Sequence, residues 1–243
     1  MKTYTLLFFA LLLWTGCQTD NSNSNNNNNT TPIEEKEPRQ RVEINTPYGP
    51  MVIELYNETP KHRDNFIKLA KEGFYDSLMF HRVQQNFMIQ GGDPDSRGEV
   101  HPAASLGQGT PAYTIPAEIA PQFIHRLGAV SAYHEGKKKV PTLESNGSQF
   151  LIIHGQPLRA YQLEQIQKET GIKYSAEQIA TYEKFGGVPS LDQKHTIFGQ
   201  VVEGLDIIAQ IATTKTMRME DPIMPDRPVE DIRMTVKVLE PQE

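Results

Sequence analysis

The sequence predicts a mainly β domain: a closed antiparallel β-barrel capped by two α-helices, with a helical insertion. Three observations predict it. Apolar and polar residues alternate in short runs at both ends of the folded region, at Val42 and Ile44, at Met51, Ile53 and Leu55, and at Ile232, Met234, Val236 and Val238. Two helical stretches bracket the strand-like ones, and the strand–helix–strand rhythm of a parallel sheet is absent. Many short antiparallel strands also leave exposed edges unless the sheet meets itself, which favours closure.

The first forty residues stand outside this fold. Lys2 and the apolar run Leu6 to Trp14, too short to span a bilayer as a helix, read as an export signal. Thr15-Gly16-Cys17 resembles a bacterial lipobox, in which the cysteine is lipidated and becomes the mature N-terminus, although Trp14 stands where Leu is commonest. An ordinary secretory signal cut nearby is the alternative. Residues 1–17 are thus expected to be a lipoprotein signal that anchors the chain in the cell envelope, with the periplasmic face expected. Cys17 is the single cysteine, so an internal disulfide or thiolate metal cluster is ruled out. Residues 18–40 include Asn25 to Asn29 unbroken and too little apolar area to offset ordering, so they read as a disordered tether. The net charge is −6, and −5 without residues 1–40, which gives no footprint for nucleic acid. Lys137-Lys138-Lys139 reads as a solvated loop.

The folded domain is expected over 41–241. A hairpin turns at Pro47-Tyr48-Gly49-Pro50. Thr59-Pro60 starts a helix with a capping hydroxyl and a proline in the first turn, Phe66, Leu69 and Ala70 share its inner face, and Gly73 ends it. Leu78 to Val83 and Phe87 to Gln90 are two strands around the polar turn Gln84-Gln85-Asn86, closed by Gly91-Gly92. Residues 94–127 are loop-rich. Gly128 to Tyr133 and Gln149 to His154 read as buried strands. Within 156–188, Arg159 to Thr170 is helical up to Gly171, and Ser175 with Gln178 is a capping box for a second helix. This pair interrupts two strand regions and is expected to be an insertion. Thr196 to Glu203 is then a strand, and Asp206 to Ala212 a helix.

The chemistry is sparse. Seven histidines are scattered without ligand spacing, and neither a nucleophile elbow nor a phosphate loop occurs, so no metal or cofactor is expected. What stands out is Arg82 beside Phe87, Met88 and Gln90. Adjacent antiparallel strands there can set a guanidinium next to an apolar patch with an amide to steady it. A hairpin whose arginine simply faces solvent is the other reading of those residues alone.

Taken jointly, the motifs resemble a family. Phe80-His81-Arg82-Val83 with Phe87-Met88-Ile89-Gln90-Gly91-Gly92-Asp93 looks like the signature of cyclophilin-type peptidyl-prolyl isomerases. Asn146-Gly147-Ser148-Gln149-Phe150 is similar to the second motif, and Leu191-Asp192-Gln193-Lys194-His195 with Ile197-Phe198-Gly199 to the third, in the family's order. The resemblance implies eight barrel strands, a helix at each end and a prolyl-peptide groove on the outer face. It implies Arg82, Phe87 and Gln90 as the catalytic set, with Gln90 holding the guanidinium. Phe87, Met88, Leu191 and His195 would line the proline pocket, with Leu151 where the family has an aromatic. His81 and Gln149 would contact or border the peptide backbone. Tyr133 and His134 replace a small residue and an amide beside it, and Ser190 stands where many members carry Trp. The implied partners are Pro-containing segments of exported proteins, bound by a monomer without a cofactor. A tethered holdase or scaffold that grips such segments without turnover is the second class left open.

Overall fold

The computed structural model describes residues 38–99, 106–136 and 140–240. Cys17, the tether up to residue 37 and the Lys137–Lys139 run lie outside the described residues. The hairpin forms as its alternation dictates. β1 (Arg41–Thr46) and β2 (Gly49–Leu55) pair antiparallel from Arg41↔Glu54 to Thr46↔Gly49. Val42, Ile44, Met51 and Ile53 all point inward and are fully buried.

Helix α1 (Pro60–Lys71) follows, burying His62, Phe66, Leu69 and Ala70. Its start differs from expectation. Thr59 makes no side-chain cap; its hydroxyl turns back to the Tyr56 carbonyl. The free N–H groups of the first turn go instead to the Glu118 carboxylate, at 3.1 Å from Lys61 and 3.0 Å from His62. An anion at a helix N-terminus satisfies orphan donors and the helix dipole together.

β3 (Arg82–Gln84) is shorter than the apolar run suggested, because Leu78 to Phe80 leave its line, and β4 (Met88–Gly91) has the expected length shifted by one residue. The later elements are β5 (Thr114–Ile115), β6 (Ala129–Ala132), β7 (Ser145–Asn146), β8 (Phe150–Ile153), α2 (Ala160–Thr170), α3 (Ala176–Phe185), β9 (Ile197–Glu203), α4 (Leu205–Ala212) and β10 (Thr235–Val238). β5 and β7 form a separate two-stranded sheet that the pattern did not reveal.

The other eight strands form one antiparallel sheet, in the order β10-β1-β2-β9-β6-β8-β4-β3. It is an open half-barrel, and the expected closure is corrected on that point. β10 and β3 end the order and do not pair with each other. The seam is bridged by the segments just ahead of them, through Ser77 N–H to the Met234 carbonyl, Met234 N–H to Leu78 and Phe80 N–H to Ile232, each at 2.8–2.9 Å. That is where Leu78 to Phe80 spend their backbone hydrogen bonds, and it covers the edges that closure would have removed.

The inner face holds the main core. Phe66 of α1 meets Tyr75, Phe150 and Phe198 with ring centroids 4.9–5.5 Å apart, and α4 adds Ile207, Ile208 and Ile211. Gly92 at φ +85° sits against the next turn: a Cβ there would lie 2.3 Å from the Ser148 carbonyl oxygen. The motif glycine is thus required by both backbone conformation and space.

Candidate active site

Strand alternation sorts the site residues onto the outer face. Across β3, β4, β8 and β6 the register aligns Arg82, Gln90, Leu151 and Ser131 in one row, and Val83, Ile89, Ile152 and Val130 in the next. The second row is entirely core. Because successive side chains on a strand face opposite ways, the first row must face outward.

On that face a directional chain of amides runs to the guanidinium. Arg82 Nη1 donates to Gln90 Oε1 at 3.4 Å, Gln90 Nε2 donates to Gln149 Oε1 at 2.9 Å, and Gln149 Nε2 donates to the Gly109 carbonyl at 2.7 Å. A backbone carbonyl can only accept, so each amide can point only one way, and Gln90 must offer its oxygen to Arg82. The loop that carries Gly109 is held by Asp93, whose fully buried carboxylate accepts Asp95 N–H at 2.9 Å and Gly107 N–H. Asn146 supports the other end, accepting the N–H groups of Ser148 and Gln149 and donating to Gly109.

Arg82 is half exposed and lines a cavity of about 300 Å³ with His81, Gln90, Gln108 and Tyr133. Its Nε faces Asp226 Oδ2 at 3.5 Å. Among the described residues the guanidinium's hydrogen bonds are made by Nε and Nη1, so Nη2 is available to a ligand. His81 is buried, and burial reinforced by the neighbouring Arg82 charge lowers its pKa to about 4.

The apolar site residues form a second group. Met88 and Leu151 are buried in a cluster with Tyr56, Ala129, Ile153, Val188 and Ile197, and Phe87, Tyr133 and Leu191 are half-buried against it. Leu151 lies opposite Gln90 in the ladder, one strand from the amide that holds Arg82. Tyr133 belongs to both groups, since it packs on the cluster and lines the cavity. His195 is half-buried; its Nδ1 lies 3.2 Å from the Ala132 carbonyl and its ring stacks on His134 at 4.0 Å. Burial first, then the neighbouring His134 and His125, takes its pKa to about 3. Ser190 is exposed, so the rim has no ring there.

An apolar cluster thus lies on the same outer face as a fixed cation, joined to its cavity through Tyr133, while Phe87, Met88, Leu151, Leu191 and His195 do not themselves line that cavity. The chain carrying them matches a known family over residues 41–238, the one described as "Cyclophilin type peptidyl-prolyl cis-trans isomerase/CLD". The chain belongs to this family. A relative from Staphylococcus aureus strain COL, named "Putative peptidyl-prolyl cis-trans isomerase", is 34% identical over 184 residues, 75% of this chain and 86% of its own. One of the same name from Staphylococcus epidermidis is 33% identical over the same length. Among solved structures, a cyclophilin-type isomerase of Cryptosporidium parvum superposes with TM-score 0.58 at 24% identity, over 84% of this chain and 99% of its own. A second crystal structure of that protein, in the presence of the dipeptide Ala-Pro, gives TM-score 0.57 over 83% of this chain and 100% of its own.

On this cyclophilin frame two site features escaped the sequence. Asp226 reaches Arg82 across 144 residues of chain, and Ile223, Met224 and Pro225 line the Arg82 cavity from the same loop. Neither carries a local motif. The proline-dense run Asp221 to Pro228 is the one signal that could have marked the loop. Among the described residues no three metal-ligating side chains converge.

Proposed function

We propose that this cyclophilin family member is a lipid-anchored prolyl isomerase that speeds X–Pro rotation in exported proteins folding at the cell envelope. The observation that carries the reading is Arg82, fixed through Nε and Nη1 yet half exposed over a cavity, with an apolar cluster on the same outer face. Rotation about a peptide bond faces a barrier of about 18–20 kcal/mol because amide resonance must be lost. No bond breaks, so the protein needs only to bind the twisted amide more tightly than either planar form.

The twisted nitrogen regains its lone pair and becomes an acceptor. Arg82 supplies a permanently charged donor for it. Phe87, Met88, Leu151, Leu191 and His195 hold the proline ring, while Tyr133, His81 and Gln149 border the rest of the peptide. About 5–7 kcal/mol gained at the transition state corresponds to four or five decades of rate. His81 and His195 stay neutral at ordinary pH, so they add no competing cation to the pocket.

The test is Arg82→Ala on a prolyl tetrapeptide and in an aggregation-suppression assay. The variant should lose about a hundredfold or more in kcat with KM little changed, as for removal of a transition-state donor. Retained turnover sinks the catalytic role. A parent protein that suppresses aggregation without turnover is instead a holdase. The anchor is tested on the full chain: Cys17→Ser should move the protein from the membrane fraction to the soluble one, and unchanged fractionation removes the lipid from the proposal.

A further inference from the structure

The chain between α4 and β10 doubles back on itself beside Arg82. Thr216 and Pro228 form an antiparallel bridge, Met217 N–H donates to the Arg227 carbonyl at 2.8 Å, and Val229 N–H donates to Lys215 at 2.9 Å. The result is a finger whose foot is tied down at one residue. The Asp226 carbonyl accepts Val83 N–H at 2.8 Å. Its carboxylate accepts from Gln84 Nε2 and from Arg218 Nη2, the latter at 3.1 Å, and faces Arg82.

The tip exposes two apolar side chains beside the charged Arg218 and Glu220. Met219 is 94% exposed and Ile223 is 65% exposed. These two belong to one short loop that the fold positions firmly, so they are not single apolar residues scattered over a surface. Ile223 also lines the Arg82 cavity, together with Met224 and Pro225. Ile223 therefore joins the tip to the site where a prolyl bond would sit. Methionine is unbranched and polarizable, which suits a surface that must accept unlike partners.

We infer that the finger 217–225 is a docking surface for apolar residues flanking the proline, in the same polypeptide whose prolyl bond lies at Arg82. The inference rests on the isomerase reading and deepens it: the preferred substrate is an unfolded segment with exposed apolar side chains, not an isolated X–Pro unit. Continuity through Ile223 chooses this occupant over a second copy of the chain. Gripping the flanks lets remote binding serve the reacting centre.

The experiment compares two longer single-proline peptides, one with leucines and one with serines flanking the proline. The full chain should process the leucine peptide with about tenfold higher kcat/KM, as burial of one or two apolar side chains supplies. The double variant Met219→Ser, Ile223→Ser should narrow that preference to about twofold or less, and fluorescence titration of the same peptides should show the same loss in affinity. Absence of a preference in the parent, its survival in the variant, or equal loss on both peptides overturns the docking role. So does a concentration-dependent dimer that the variant abolishes, which assigns the tip to a second copy. Failure to turn over either peptide, with the leucine preference intact in the titration, refutes the isomerase reading and leaves the docking surface standing.

Discussion

Gln149 touches no reacting atom on this reading, yet it decides which end of Gln90 faces the guanidinium. Its own amide is oriented by the Gly109 carbonyl, and its oxygen then takes the Gln90 N–H. In Gln149→Leu the Gly109 carbonyl keeps the Asn146 donor at 2.9 Å, but Gln90 Nε2 loses its acceptor in a buried site. The amide of Gln90 is then free to flip, and Arg82 loses its fixed partner for part of the time. We expect kcat on a prolyl tetrapeptide to fall about tenfold, the worth of one hydrogen bond, with KM changed much less. A purely structural role predicts lower stability with kcat unchanged, and steady-state kinetics beside urea unfolding separates the two. The parts of this network within one motif were legible: Arg82 and Gln90 are opposite each other in a short hairpin, and any antiparallel register that buries Val83 and Ile89 puts them on the other face. The Asp226 partner was not legible, because its contact depends on how the last loop returns to the sheet.

At the scale of elements, the helical pair α2 and α3 is tied to the third motif. The buried Asp192 carboxylate accepts the hydroxyls of Tyr174 at 2.7 Å and Tyr182 at 2.6 Å on one oxygen, and the backbone and ring N–H groups of His125 at 2.8 Å on the other. Ile124, Leu163, Tyr174 and Tyr182 make a small core of their own around this point. The two ends of the segment meet at Gly187, where a Cβ would lie 2.3 Å from the His125 carbonyl oxygen, so the chain leaves and rejoins the sheet at one narrow neck. The capping box at Ser175 and Gln178 formed as the spacing required. What the sequence left unsaid is that the tyrosines serve as donors, since a helical Tyr reads equally well as plain core. Tyr182→Phe should cost about 1–3 kcal/mol, because a buried carboxylate loses a donor, and urea denaturation measures it. An unchanged midpoint would mean that the helices merely rest on the domain. Loss of kcat alongside stability would show that Asp192 transmits the strain to Leu191 and His195, its neighbours in the motif.

For the whole molecule, the open seam and the buried histidines set the limits of stability. The seam was invisible beforehand, because the alternation in Leu78 to Val83 describes one strand, whereas the structure divides it between β3 and the bridge to residues 232–234. Histidine burial has a calculable consequence. His81 and His195 have pKa values lowered to about 4 and about 3, and His62 and His154 are also lowered, with burial the main cause in all four. The unfolded chain takes up protons near the ordinary value of 6.5, where the folded one does not. Acid therefore favours unfolding: the stability these groups allow is complete above pH 6.5 and is lost as pH falls through the folded values. Linkage gives about 2 kcal/mol for each of His81 and His195 between pH 7.5 and 5, or roughly 4 kcal/mol together. On the alkaline side, the raised pKa values of Tyr75, Tyr174 and Tyr182 weaken the fold only when the unfolded tyrosines begin to ionise near 10. The stability profile should thus be flat from about pH 7 to 9 and fall on both sides. Urea midpoints from about pH 5 to 10 check the shape, and His81→Gln should remove about 2 kcal/mol of the loss between pH 7.5 and 5 whatever it does to the plateau. A parent whose midpoint holds steady down to pH 5 would show that these imidazoles take up protons in the folded state, and hence that water reaches the floor of the Arg82 cavity.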